Sequence, residues 1–216
     1  MKGIFIRVLA LTLVVIGAVE VLGAQEVVDR IVARVENDVI LLSDVQELSR
    51  YQLLVDGKSE SDAAILDRLI DQWVVLTEAD TARFPHPTDK EIERGLERFR
   101  NSFVTPQEYE KRKKQSGLSD AEVKSMMETQ LYLSTYLDSR FRPAIQIDPK
   151  AIEDFYQNGV VPRAKARGQE PPSLDAARDY IQEALIQQGI NEQADRWLKE
   201  SRARLHVEKF MNEGTK

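Results

Sequence analysis

Residues that could do chemistry are sparse in this 216-residue chain, and they fall into no recognisable constellation. Histidine occurs twice, as His86 between Pro85 and Pro87 and as His206 near the end, so no pair has metal-site spacing. Cysteine is absent, which removes a thiol nucleophile, a cysteine-bearing metal site and a disulfide framework. No glycine-rich phosphate loop and no Gly-x-Ser-x-Gly elbow is present. Carboxylates number 36, but in a chain that is 31% charged, chance pairs are common and none stands out as an acid–base couple. The pattern points away from an enzyme: no catalytic, metal-binding or cofactor-binding residue is read here.

What remains is chemistry of adsorption. Apolar and aromatic residues recur at helical spacing in excess of what one buried face needs, most clearly between Val123 and Phe141. Trp73, Phe99, Phe103, Met126, Met127, Tyr132 and Tyr136 are the candidate peptide-binding residues. The adjacent methionines suit a groove, because a thioether repacks around varied ligands. The same stripe reads first as that of a central helix buried on several sides, and Trp73 on its own stripe reads first as core.

The elements that must position these residues are legible from caps and periods. Val27 to Val35 and Val39 to Leu42 flank Glu36-Asn37-Asp38, which predicts a β-hairpin. Ser43 with Gln46 has the form of a capping box, starting a helix to about Leu54 that Asp56-Gly57 breaks. A second helix begins near Ser61, carries Ile65, Leu66, Leu69, Ile70, Trp73 and Leu76, and ends at Pro85-His86-Pro87. Thr88 with Glu91 opens a third, with Ile92, Leu96, Phe99 and Phe103 on one face. Thr105-Pro106 opens a short charged one containing the basic run Lys111 to Lys114, and Ser119 with Glu122 opens a long one to about Arg142. Asp148-Pro149 starts a short helix ended by Asn158-Gly159, and residues 158–172, with three prolines, read as a linker. Ser173 begins a final helix of about 30 residues, interrupted by Gly189, followed by a strand at Leu205-His206-Val207. A lone hairpin is marginal in water, so the first and last segments are expected to close one domain together. The fold class is therefore mainly α with a small β-sheet, an N-terminal hairpin plus a C-terminal strand closing a helical domain.

Val28-Asp29, Ala33, Val35, Asn37, Val39, Leu41 and Ser43-Asp44-Val45 resemble the opening of the SurA-type periplasmic chaperones, and the order of parts is similar to that family over nearly the whole mature chain. The resemblance implies a SurA N-terminal-like domain acting as an ATP-independent holdase. Its implied clients are unfolded outer-membrane or envelope proteins. Larger relatives insert a parvulin prolyl isomerase domain where residues 158–172 lie, a gap too short to hold one, so the isomerase residues have no counterpart here. Two other readings stay open: an envelope assembly or scaffold protein with one dedicated folded partner, and, with less behind it, a prolyl isomerase working through an altered site.

Lys2 and Arg7 precede an uncharged apolar run from Val8 to Val19, and Gly23-Ala24 offers small residues before Gln25. That is the layout of a secretory signal peptide over residues 1–24, with 25–216 as a single domain, periplasmic location and no stable membrane insertion after cleavage. A run of 12 residues is short for a span, which takes about 20, although a retained anchor is the alternative. Net charge of −6 without a clustered basic excess leaves nucleic acid unsupported as a partner.

Overall fold

The computed structural model describes residues 29–211. The segment expected to be a signal peptide, Val27-Val28 and the tail after Met211 lie outside the described residues.

Strands β1 (Ile31–Val35) and β2 (Asp38–Leu41) form the expected hairpin. The register slips between Ile31 and Ala33, a bulge that breaks the strict two-residue alternation and lets Val32 and Ala33, neighbours in sequence, both be buried. At the turn, Glu36 adopts φ +53°, a left-handed conformation uncommon for a non-glycine residue. Its partner is distant in sequence. The Glu36 N–H donates to the His206 carbonyl (3.0 Å), and the His206 N–H donates to the Glu36 carboxylate (2.7 Å). Strand β3 (Val207–Lys209) then pairs antiparallel with β1, Val35 opposite Val207 and Ala33 opposite Lys209, giving the order β2-β1-β3. The ends of the described chain thus close one sheet. The strand begins two residues later than Leu205, whose side chain packs against the core instead.

Helix α1 (Leu42–Asp56) follows β2 with no intervening residue, which moves its start ahead of the Ser43 cap expected from sequence. Leu41 is the capping position, and Asp44 three residues on accepts from the Leu41 N–H at 2.8 Å. Ser43 donates its hydroxyl to the Asp29 carboxylate rather than engaging Gln46. The helix closes on Gly57, whose φ of +73° brings its N–H onto the Leu53 carbonyl.

The other caps form as read. Ser61 caps α2 (Asp62–Thr81), Thr88 with Glu91 caps α3 (Asp89–Asn101), and Thr105-Pro106 opens α4 (Pro106–Ser116). Ser119 with Glu122 caps α5 (Asp120–Phe141), Asp148 caps α6 (Pro149–Phe155), and Ser173 caps the last helix. Residues 158–172 are only partly a linker. A π-turn at residues 156–160 carries the chain past Gly159 into α7 (Val161–Ala166), because Phe155, Tyr156 and Val160 have an apolar surface to cover on Leu174, Ala177 and Ile181. Helix α8 (Leu174–Arg202) runs through Gly189 without a break. Glycine is needed there for close approach: a Cβ at that position would stand 3.0 Å from the Ile145 side chain.

Helix α5 contacts α2, α3 and α8, so its broad apolar stripe serves a central helix. Two charge clusters fasten α8 and β3 to the rest. Arg202 binds Asp67 (2.6 Å) and Asp71 (3.0 Å) of α2, and Lys209 joins at Asp67 (2.8 Å). Arg142 forks between Asp138 of α5 (2.7 Å) and Glu183 of α8 (2.8 Å), and the hydrogen bonds that Glu183 accepts from Arg142 and from Gln187 (2.9 Å) hold its carboxyl down at about 2, against an ordinary value of 4.5. The ionised form is thus favoured by folding, and its contribution is complete above pH 4.5 and lost as pH falls toward 2. The Tm difference between the wild type and Arg142→Met should therefore be largest above pH 5 and should shrink as the pH is lowered toward 2, measured by circular dichroism. A difference independent of pH would remove this cluster as a source of acid sensitivity.

Candidate functional site

The site begins where α2 stops. The Phe84 N–H returns to the Ala79 carbonyl (2.9 Å) and the Arg83 N–H to that of Asp80 (2.9 Å), with Arg83 at φ +52°. The helix therefore ends at Thr81, before Pro85 forbids continuation, and the chain turns back over α5. Phe84 drops between Tyr132 and Tyr136, at ring-centroid distances of 6.0 and 5.4 Å. The Tyr132 hydroxyl lies within hydrogen-bond distance of both Asp80 (3.0 Å) and the Phe84 carbonyl (3.2 Å), tying the loop to the helix beneath. Burial and the Asp80 carboxylate both raise the Tyr132 phenol above its ordinary value of 10.0. His86 then stacks flat on Tyr132, centroids 4.2 Å apart and planes 8° off parallel, with Nε2 4.0 Å from Asp80.

These contacts hold the segment Phe84-Pro85-His86-Pro87 as one wall of a cleft of about 660 Å³. Leu131, Tyr132 and Thr135 of α5 form its base, and Glu91, Arg94, Glu97 and Arg98 of α3 its opposite wall. What the arrangement offers is a binding surface: ring faces, proline edges and a leucine on one side, and guanidinium and carboxylate groups on the other. Among the described residues, no group of three or more histidine, aspartate or glutamate side chains is placed to hold a metal ion, and no helix is long and apolar enough to cross a membrane.

Of the seven candidates from sequence, only Tyr132 lines this cleft. Tyr136 is buried below it against Phe84 and Val75. Trp73 packs on the main core and donates its indole N–H to Asp38 at the hairpin turn (2.9 Å). Phe99 and Phe103 form a ring cluster with Tyr51 and Tyr109 at the edge of the main core; Phe103 lies beyond the end of α3 yet folds back to within 5.3 Å of both Phe99 and Tyr109. Met126 and Met127 are half-buried on the main core, Met127 over Gly95 where α3 and α5 meet closely. The seven therefore do not share one groove. The basic run is likewise divided, with Arg112 bound to Glu108 (2.6 Å) and Lys113 to Asp120 (2.6 Å).

Among the cleft residues not named as binding candidates from sequence are Phe84, His86, Leu131, Arg94 and Arg98. A signal existed for two: Arg94 and Arg98 are four apart on the polar face of α3, the spacing that places side chains together. Set against known proteins, the chain matches no family model and no curated protein.

Tyr132→Phe keeps the ring stack but strips the hydroxyl from a buried position between Asp80 and Phe84. The expected loss is about 1–3 kcal/mol in urea unfolding, with a shift of the His86 ring protons in NMR as the loop loosens. Unchanged stability and spectrum would show that the hydroxyl does not hold the loop.

Proposed function

We propose that the protein is an exported, ATP-independent holdase-type chaperone that binds extended segments of unfolded envelope proteins in the cleft between α3 and α5. The cleft is the single observation that carries this reading: Phe84, Pro85, Pro87 and Leu131 give an apolar surface, and its volume of about 660 Å³ accommodates a few side chains. The order of parts supports it too. A hairpin, a helical body, and a closing helix and strand that pairs with the first strand match what the likeness to SurA-type chaperones implies. Outer-membrane β-barrel precursors are the clients that likeness suggests, since their alternating apolar strands must not associate in water before insertion. Burial at about 25 cal/mol per Å², offset by the cost of ordering the client, makes binding weak and reversible, as a carrier requires.

A second reading, an envelope assembly protein with one folded partner, is favoured by a different surface. Ile31 of β1 is 41% exposed, Val39 of β2 45% and Phe210, just after β3, 51%.

Dilution of a urea-unfolded outer-membrane protein into buffer, followed by light scattering, tests the first reading. Near-stoichiometric suppression is expected, weakened several-fold by Thr135→Arg, which fills the cleft from an exposed position and leaves the core untouched. No suppression at large excess would sink the chaperone reading and favour the second.

A further inference from the structure

The charged wall of the cleft has a specific complementarity. Resting on the chaperone reading above, we propose that the cleft selects extended segments in which an aspartate or glutamate lies next to an aromatic or proline anchor. The anchor stands against the exposed ring of His86, Pro87 and Leu131. The carboxylate is held between Arg94 and Arg98.

Four charged side chains line the wall: Glu91, Arg94, Glu97 and Arg98. Glu91 is already committed. Its carboxylate accepts from the Thr88 N–H (2.8 Å) and the Thr88 hydroxyl (2.7 Å), and these bonds hold it below its ordinary range. Arg94 uses only Nε internally, donating to the Lys90 carbonyl at 3.2 Å. Neither Arg94 nor Arg98 has a carboxylate within 4.0 Å among the described residues; the carboxylates of the wall, Glu91 and Glu97, balance their charge only at longer range, and the Arg94 charge is among the influences that lower the Glu91 carboxyl. Two forks one helical turn apart can bracket a carboxylate and bond it bidentately, a geometry that a lysine pair would not reproduce.

The apolar wall fixes where the partner's ring goes. His86 is stacked on Tyr132 by one face, and its side chain is 68% exposed, so the other face is open to a ring or proline. The net charge of −6 repels acidic segments at a distance. A preference for acid therefore reflects local contact with cationic groups, and if this guanidinium pair supplies that contact the preference vanishes with the pair.

Fluorescence anisotropy with the full chain decides the matter, using a labelled peptide Gly-Phe-Glu-Pro-Gly blocked at both ends and its glutamine counterpart. The glutamate peptide is expected to bind roughly tenfold tighter. Replacing both arginines, Arg94→Gln with Arg98→Gln, should abolish that preference, so that the glutamate and glutamine peptides bind alike. The pair Arg94→Lys with Arg98→Lys should keep only part of it. Both positions are exposed, and far-UV circular dichroism checks that each variant is folded.

Equal binding of the two blocked peptides by the wild type overturns the proposal, as does a preference that survives in the double glutamine variant. A glutamine peptide that gains affinity only when its C-terminus is left free assigns the pair to chain ends and also overturns it. Binding of neither peptide overturns it while suppression of scattering, measured separately, still supports the chaperone reading. Loss of suppression with the peptide preference intact sinks that reading and keeps the site.

Discussion

The pairing of β3 with β1 is the constraint on which the rest of the molecule depends. A two-stranded hairpin of five and four residues cannot hold itself together in water. With β3 in place, β1 becomes the central strand and its inward residues Val32, Ala33 and Val35 are almost wholly removed from solvent. The unusual backbone of Glu36 is secured by the same return of the chain, through reciprocal bonds to His206. Because β3 directly follows α8, the pairing also delivers Arg202 and Lys209 to Asp67 and Asp71, which orients α8 against α2.

With α2 and α8 fixed, α5 has little freedom. It lies among α2, α3 and α8, and the Arg142 fork to Asp138 and Glu183 binds it to α8 at its C-terminal end. Close packing at the other end comes from Gly95, where α3 admits the Met127 thioether without a side chain of its own. The cleft is what remains where α3 and α5 diverge beneath the α2–α3 loop. Its wall is built by aromatic contacts of Phe84 and His86 on Tyr132 and Tyr136, so it is a shaped surface held by a buried hydroxyl and a ring stack.

This division of labour suits the proposed role. The large aromatic clusters stabilise the body, and a smaller surface with modest apolar area is left open where the proposed client would bind. Weak, renewable contacts follow from that small area, and charge on a single wall offers a way to discriminate among clients without adding much affinity.

Much of the fold was legible in the sequence because it is encoded locally. Ser61, Thr88 with Glu91, Thr105-Pro106, Ser119 with Glu122, Asp148 and Ser173 each satisfy backbone donors within three residues of themselves, so each marks its helix start without help from the rest of the chain. The departures all arise where a distant partner intervenes. Ser43 was taken by Asp29, β3 was drawn two residues along by its register with Val35, and residues 156–166 coiled because α8 offers them an apolar surface. The candidate site was the least legible part. Large apolar residues at helical spacing look the same whether a neighbouring helix or a ligand will cover them, and six of the seven candidates went to the interior or to its edge. The sequence by itself determined most of the helices and their caps, because those are set by interactions within a few residues. Only the tertiary structure decided which rings face a neighbour and which face an opening, since that depends on where α2, α3 and α5 come to rest, and no local interaction sets that.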